Sequence, residues 1–268
     1  MASRRLIAGL IAAGITVSAI VTAAPGWRKN RWAMYESEMQ DPIDDPVNAD
    51  EKTEFVLGRL RYRSPRDGWS YSRWGIDCNK SDRQFLMGLQ RLTRVHARPI
   101  EEIIDIDSDE IFQYPWLFAV AVGDWVLSDT HALRLRQYFD RGGFMMVDDF
   151  HGEREWRDFM AGVRKIYPAA TASELEDGNP AFHVVYDLTK RVQIPGANVV
   201  HGPGYERGGV VPHWRGIADD KGRIVIAICF NMDVGDAWEF ADDPQYPERF
   251  ASEAYRLGVN YVLYAMTH

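Results

Sequence analysis

Cysteine is scarce in this sequence, with only Cys78 and Cys229 among 268 residues. Two thiols cannot build a disulfide framework or a cysteine-rich metal site, so an apolar core must hold the fold. Cys229 lies inside the apolar run 224–230, which predicts a buried side chain. A glycine-rich phosphate loop is also missing, because the run 199–209 has glycines but no strand-to-helix context.

Clustered positive charge is lacking as well. The formal net charge is -8, and Lys and Arg form no cluster in the body of the chain. Nucleic acid and anionic lipid are therefore excluded as main partners, since neutralising phosphates requires clustered cations. With 46% hydrophobic residues and nine Trp, the chain can bury one sizeable core.

The N-terminal residues 1–26 have the pattern of a targeting segment. Residues 6–24 carry no charge and directly follow Arg4-Arg5. A helix over this stretch would span roughly 28 Å, close to a bilayer core of about 30 Å. It is either a membrane anchor or a signal peptide, and Val21-Thr22-Ala23 resembles a signal-peptidase site. Both alternatives place the body on the periplasmic side of a bacterial envelope.

Residues 27–53 are poor in periodic apolar residues. The stretch 41–46 is acidic and broken by two prolines, so residues 27–53 are predicted to form an extended linker that does not fold alone. The alternative is a strap that a partner protein orders. Residues 54–268 then form a single folded domain.

Within this domain, apolar runs typical of strands alternate with helical periodicity. Strands are predicted at residues 55–62, 101–104, 116–122, 144–147 and 222–230. Helices are predicted from Ser81 or Asp82, from Ser128 or Asp129, after residue 151, and over residues 247–267. This order predicts a doubly wound, mostly parallel α/β sheet flanked by helices.

Polar residues gather where two predicted strands end. Parallel α/β sheets bind ligands at the carboxyl ends of their strands, so these residues are the predicted binding site. They are Asp148, Asp149, His151 and Glu153 after the fourth strand, and Asp233, Asp236 and Trp238 in the loop after the fifth.

The chemistry of this cluster depends on which side chains converge. In a regular strand Asp148 and Asp149 point to opposite faces, whereas Asp149 and His151 can reach one ligand. Together with Glu153, or with Asp233 and Asp236, they would form a carboxylate and imidazole site for a divalent metal ion. The alternative is that the acids only cap helices and accept hydrogen bonds.

Aromatic and imidazole side chains in predicted loops offer further candidates. Exposed loop aromatics are typical contacts with protein partners or sugars, but they can instead seal the ends of a sheet as small cores. The tryptophans concerned are Trp69, Trp74, Trp125 and Trp214. His201 and His213 are additional ligand candidates, although lone loop histidines are usually solvated or packed.

Several strings along the body carry a family resemblance. They are Trp74-Gly75-Ile76-Asp77, Tyr114-Pro115, Gly142-Gly143-Phe144, Asp148-Asp149-Phe150-His151-Gly152, Asn231-Met232-Asp233 and the C-terminal residues 259–268. They resemble the bacterial domain-of-unknown-function family numbered 4159, over about residues 55–268. The resemblance implies a glutamine-amidotransferase-like, flavodoxin-type fold with no settled activity. One departure is Cys78-Asn79-Lys80, where relatives usually carry an aromatic residue and a proline.

Amidotransferases of this type need a nucleophile that the sequence does not place correctly. They present a cysteine on a tight strand-to-helix turn, where a histidine activates it. The corresponding turn here, residues 147–152, contains neither cysteine nor serine, and Cys78 lies far upstream. The sequence therefore argues against amidotransferase catalysis.

Two function hypotheses follow. The first is a non-catalytic, exported, membrane-tethered module without a cofactor, which acts as an accessory or docking subunit of a larger membrane complex. The second is a metal-assisted or acid-base hydrolase acting on an envelope substrate through Asp149, His151 and Asp233. The absent nucleophile and the tether favour the first.

Overall fold

A computed structural model of the chain describes residues 31–67 and 71–268. The predicted hydrophobic helix within residues 1–26 and the loop residue Trp69 lie outside these ranges. Among the described helices, none combines the length and the apolar character needed to span a membrane.

A seven-stranded sheet forms the centre of the domain, in the order β2-β1-β3-β4-β7-β6-β5. The strands are β1 Gly58–Arg61, β2 Glu102–Asp105, β3 Trp116–Val120, β4 Phe144–Phe150, β5 Ser173–Glu174, β6 His213–Ala218 and β7 Ile224–Phe230. Strands β1 to β4 and β7 run parallel, and β6 is antiparallel to both of its neighbours. The predicted mostly parallel α/β sheet is confirmed. The antiparallel strand β6 and the edge strand β5 were not predicted, because neither contains a long apolar run.

Helices cover both faces of this sheet. They are α1 Lys80–Leu92, α2 Asp129–Asp140, α3 Gly152–Ile166, α4 Val234–Glu239 and α5 Glu248–Thr267. On one face α1, α4 and α5 pack against one another, and on the other face α2 packs against α3. The residues of α4 were predicted to be a loop. Instead they form a short helix, whose N-cap Asp233 accepts a hydrogen bond from the backbone N–H of Asp236 at 2.8 Å.

The segment predicted as an extended linker packs on the body wherever the structure describes it. It contains a short 3-10 helix, Ala33–Glu38, and buries the side chain of Met39. Arg83 of α1 donates to the backbone carbonyls of Ile43 and Asp44, both at 2.8 Å. The domain itself therefore orders this segment. Sequence periodicity misses such packing, because backbone carbonyls and carboxylates make many of the contacts.

Candidate functional site

At the carboxyl edge of the sheet, several residues adopt a left-handed backbone conformation. Ala121 after β3, Asp149 in β4 and Asn231 after β7 have φ values of 50°, 51° and 61°. Asp77, in the loop between β1 and α1, has a φ of 57°. Residues other than glycine rarely adopt this conformation, and such strain concentrates at functional sites. These strand ends therefore mark the edge where a site is expected.

Asp148 is fully buried at the end of β4. Its Oδ2 accepts hydrogen bonds from the backbone N–H groups of Val234 and Gly235, at 2.7 and 2.8 Å. Its Oδ1 has no hydrogen-bond partner within residues 31–67 and 71–268. Burial raises the pKa of this carboxyl well above its usual value, although the Gly235 N–H opposes the shift. Asp148 thus connects β4 to α4 and favours its protonated form.

The neighbouring Asp149 breaks the regular strand. The pairing of β4 with β7 shifts register between Val147 and Phe150, which is a bulge around this residue. The expectation that Asp148 and Asp149 point to opposite faces applied to a regular strand, and this strand is irregular at Asp149. The pKa of Asp233 is raised first by burial and then by its acidic neighbours, of which Asp236 has the largest effect and Asp149 the next.

His151 lies next to Asp149 on the turn that opens α3. Its Nε2 is 3.2 Å from Asp149 Oδ1, and its backbone N–H donates to Glu155 Oε2 at 2.7 Å. The ring is buried, and Nδ1 has no hydrogen-bond partner in the part of the chain that the structure describes. A carboxylate that contacts one ring nitrogen fixes the orientation of the imidazole.

Asp77, Asp236 and Glu239 bring carboxylate oxygens together. Each residue offers one oxygen, and the three oxygens lie within 4.8 Å of one another. All three side chains are at least nine-tenths buried, with exposures of 2%, 8% and 3%. Asp77 Oδ2 and Glu239 Oε2 lack any hydrogen-bond partner among the described residues. We call these three residues the carboxylate triad.

The pKa values of the triad show how strongly these groups resist ionisation together. Burial and then the charge of Asp236 raise the pKa of Asp77 well above its usual value. The same two causes raise the pKa of Glu239 to about 7. The charge of Asp149 also raises the pKa of Asp77 and Asp236, which shows that the bulged strand end lies close to the triad. At neutral pH the triad needs protons or a cation to offset its charge.

Positive charge beside the triad is limited. Arg59 is fully buried, and its charge lowers the pKa of Asp77. Asp82 already binds this arginine through two hydrogen bonds of 2.9 and 2.8 Å. The charge of Asp149 raises the pKa of Arg207, and Arg207 also forms ion pairs with Glu155 and Glu206. Both arginines are therefore already paired with carboxylates, and the triad retains an excess of acid.

Two other predicted site residues do not join this cluster. Glu153 is exposed in the first turn of α3. Trp238 is fully buried, and its ring stacks on Phe85 with centroids 4.2 Å apart. Trp238 therefore belongs to the hydrophobic core, even though Asp236 and Glu239 on the same short helix belong to the site.

The loop histidines also lie elsewhere. His201 Nε2 is 2.7 Å from the backbone oxygen of Gln245, and the residue is exposed. His213 Nδ1 is 2.6 Å from Glu174 Oε1 on the neighbouring edge strand, and its ring stacks on Phe230. His213 begins β6 and was wrongly predicted to lie in a loop, and both histidines have local partners at other places on the domain.

The tryptophans offered as partner contacts are buried where the structure describes them. The exposures of Trp74, Trp125 and Trp214 are 1%, 5% and 9%. Trp74 donates from Nε1 to Glu38 Oε2 at 2.8 Å, and Trp125 stacks on Phe159. These three rings therefore pack inside the domain, as the alternative of small cores at the ends of the sheet predicted. They do not form an exposed docking surface.

Cys78 is fully buried beside Asp77. Burial raises the pKa of its thiol well above the usual value, against an opposing effect of Arg59. A reactive cysteine requires the opposite shift, towards the thiolate. The geometry therefore agrees with the sequence that Cys78 is not an activated nucleophile.

Sequence reasoning did not select Asp77 or Glu155 as site residues, and it placed Glu239 among the polar residues after the last strand without assigning it to the site. A signal was present for Asp77, because it lies between the first parallel strand and the helix that follows it. Glu239 lies in the acidic stretch after β7, but the short helix that aims it was not predicted. Glu155 is two positions beyond Glu153, and only the structure distinguishes the buried acid from the exposed one.

Comparison with known families agrees with the resemblance seen in the sequence. The family model described as domain of unknown function (DUF4159) matches residues 56–266. The chain belongs to this family. A search of curated proteins found no match.

Proposed function

We propose that this domain is a hydrolase that binds a divalent cation at the carboxylate triad. The observation that carries the proposal is the convergence of Asp77, Asp236 and Glu239 within 4.8 Å. Asp77 Oδ2 and Glu239 Oε2 are buried without a partner among the described residues, whereas Asp236 Oδ2 accepts a hydrogen bond from the backbone N–H of Ala197 at 2.6 Å. Buried carboxylates without partners are unfavourable, so such a group indicates a bound cation or shared protons.

The ligand atoms indicate a hard cation. Carboxylate oxygens suit Mg²⁺, Ca²⁺ and Mn²⁺ better than the softer metals that prefer thiolate or imidazole. Because Glu239 has a pKa of about 7, cation binding near neutral pH must displace a proton from it. Affinity is therefore expected to rise as pH increases through about 7.

His151 supplies the proton-transfer group. Its Nε2 is 3.2 Å from Asp149, whose charge acts directly on Asp77 and Asp236 of the triad. The carboxylate triad would hold the cation, which would supply acidification of a bound water, and His151, oriented by Asp149, would serve as the proton acceptor. In this scheme Asp149 orients His151, and Asp233 stabilises the first turn of α4 that carries Asp236.

The docking hypothesis is weaker on this geometry. The absent nucleophile and the tether favoured it, but its proposed contact surface was the loop tryptophans, of which Trp74, Trp125 and Trp214 are buried. The proposed location is unchanged: residues 6–24 would hold the domain at the periplasmic side of the envelope, and the substrate would be an envelope component. Fractionation of cells that express the full chain, with and without residues 1–26, tests this location.

Cation binding is the first test. The purified full chain is titrated calorimetrically with Mn²⁺, Mg²⁺ or Ca²⁺ at pH 7.5, and at least one ion should bind with one-to-one stoichiometry. Asp77→Asn should weaken binding at least about tenfold, because it removes a charged ligand. The matched control is Asp220→Asn, an exposed residue in the turn that precedes β7, which should bind like the wild type. Failure of the wild type to bind any of the three ions would contradict the proposal.

Hydrolysis is the second test. Chromogenic phosphodiester, carboxylic ester and peptide anilide probes are incubated with the ion-loaded chain and with the chain in EDTA. We expect cation-dependent cleavage of one probe class, and Asp77→Asn should lose it. Cleavage that survives both EDTA and Asp77→Asn would contradict a role for the triad.

A further inference from the structure

The loop that carries Asp77 has little regular structure of its own. Between β1 and α1, the described part contains one short 3-10 helix, Arg73–Gly75. Asp77 itself is in the left-handed conformation, which surrounding contacts must stabilise. Contacts from another part of the chain hold this loop in place.

Residues 38–45, which we call the strap, run along this loop. At its first half the backbone N–H of Ser72 donates to the carbonyl of Glu38, and that of Gln40 donates to the carbonyl of Gly75, both at 2.9 Å. A Cβ atom at Gly75 would overlap the backbone oxygen of Glu38. The fit between strap and loop is therefore close enough to require glycine at this point.

Contacts continue at Asp77 and just beyond it. The backbone N–H of Asp77 donates to Gln40 Oε1 at 3.3 Å. The backbone N–H of Ile43 donates to Asn79 Oδ1 at 2.9 Å. The strap thus supplies hydrogen-bond partners on both sides of Cys78, within two residues of the proposed cation ligand.

Charged side chains of the body fix the strap at both of its ends. Arg61 binds Glu38 through two hydrogen bonds of 2.9 and 2.7 Å. At the other end Arg83 binds Asp45 at 2.7 Å, in addition to the carbonyls of Ile43 and Asp44. Hydrogen bonds between charged groups are stronger than neutral ones, so the strap is a stable support for the loop.

We infer that the strap positions Asp77 for cation binding, and that Gln40 is a positioning residue of the site. This inference rests on the proposed function. It means that the segment joining the N-terminal residues to the domain is part of the cation site. A strap with a merely structural role would affect stability and leave the cation affinity of the folded chain unchanged.

The experiment compares strap variants in the full chain. Gln40→Met removes the acceptor for the Asp77 N–H at similar side-chain size, and should raise the Mn²⁺ dissociation constant about tenfold. Gln40→Glu keeps an acceptor oxygen at the same place and should restore the affinity. Val47→Ala is the matched control, since Val47 follows the strap and is 90% exposed. Thermal unfolding in EDTA shows whether each variant is folded at the temperature of the titration.

The outcomes separate this inference from the proposed function. If the wild type binds Mn²⁺ and Gln40→Met binds it equally well, the strap does not position Asp77, and the cation site stands. If Gln40→Met is weakened and Gln40→Glu is not, the inference is supported. Should Gln40→Met fail to fold, Ile43→Pro replaces it, because it removes the N–H that donates to Asn79 Oδ1. Proline also fixes φ and replaces the isoleucine side chain, so thermal unfolding in EDTA is measured for this variant too. If the wild type binds no cation, the proposed function and the inference both fail.

Discussion

The carboxyl group of Asp148 accepts a hydrogen bond from the backbone N–H of Gly235 at 2.8 Å, which connects the end of β4 to the first turn of α4. Burial raises the pKa of Asp148 well above its usual value, so the protonated form is favoured. The hydrogen bond therefore depends on the shape of the group more than on its charge. This contact holds in place the helix that carries two residues of the carboxylate triad.

Substitution at Asp148 separates shape from charge. Asparagine has nearly the shape of a protonated aspartate and keeps an oxygen that accepts from Val234 and Gly235. Asp148→Asn should therefore change the free energy of unfolding by less than about 1 kcal/mol, whereas Asp148→Ala should lower it by about 2–4 kcal/mol through unpaired N–H groups and a cavity. Urea unfolding at pH 7 in EDTA measures both. If both variants lose the same free energy of unfolding, the charge of Asp148 stabilises the fold more than the shape of its side chain does.

Glu239 should make stability depend on pH. Its pKa in the folded chain is about 7, above the ordinary 4.5, so the folded state binds a proton more tightly than the unfolded state. The stability that this contributes is complete below about pH 4.5 and is lost as pH rises to about 7. In that window the free energy of unfolding should fall by up to about 1.4 kcal/mol per pH unit for this group.

The Glu239→Gln variant tests this dependence in EDTA. Glutamine cannot ionise, so the free energy of unfolding of the variant should decrease less with rising pH than that of the wild type. The variant should therefore be more stable than the wild type at pH 7.5. Glu248→Gln, an exposed residue at the start of α5, is the control and should retain the wild-type slope. A wild-type slope in Glu239→Gln would mean that other groups cause the whole dependence.

His151 should matter for turnover and not for cation affinity. It contacts Asp149 rather than the triad oxygens, so His151→Gln should bind Mn²⁺ within about threefold of the wild type, while losing about 10²- to 10⁴-fold in kcat as expected for a general base. Glu153→Gln, an exposed neighbour on α3, is the control and should keep both properties. Loss of the ion together with activity in His151→Gln would instead make His151 a ligand.

The sequence predicted the elements that rely on local pattern. The apolar run in β4 and the helical stripe of α5 are long enough to show their periods. Helix α5 was found within one residue of its predicted bounds, whereas β4 begins at the predicted Phe144 but continues past the predicted end at residue 147 to Phe150. By contrast α4 has six residues, too few to show a period, and β5 has two. Elements of this length take their conformation from tertiary contacts such as those of Asp148.

Only some residues of the candidate site could be predicted from the sequence, for a related reason. Asp149 and Asp233 follow strong strands and could be recognised. Asp77 joins them because β1, β3, β4 and β7 lie next to one another in the sheet, which is a matter of topology. The bulge at Asp149 was hidden as well, because an alternating pattern does not reveal a single left-handed residue.

Gly152 offers a test of the loop that covers this end of the sheet. It has a φ of 70°, and a Cβ atom there would overlap the backbone oxygen of Arg207. Gly222 has a φ of 81° with open space around it. Alanine at this position is therefore subject to the same backbone strain as at Gly152, but its Cβ atom overlaps no other atom. Gly152→Ala should therefore lower the free energy of unfolding by about 1–3 kcal/mol more than Gly222→Ala, as measured in urea. Equal effects would mean that the Arg207 loop moves aside freely and does not pack firmly against the start of α3.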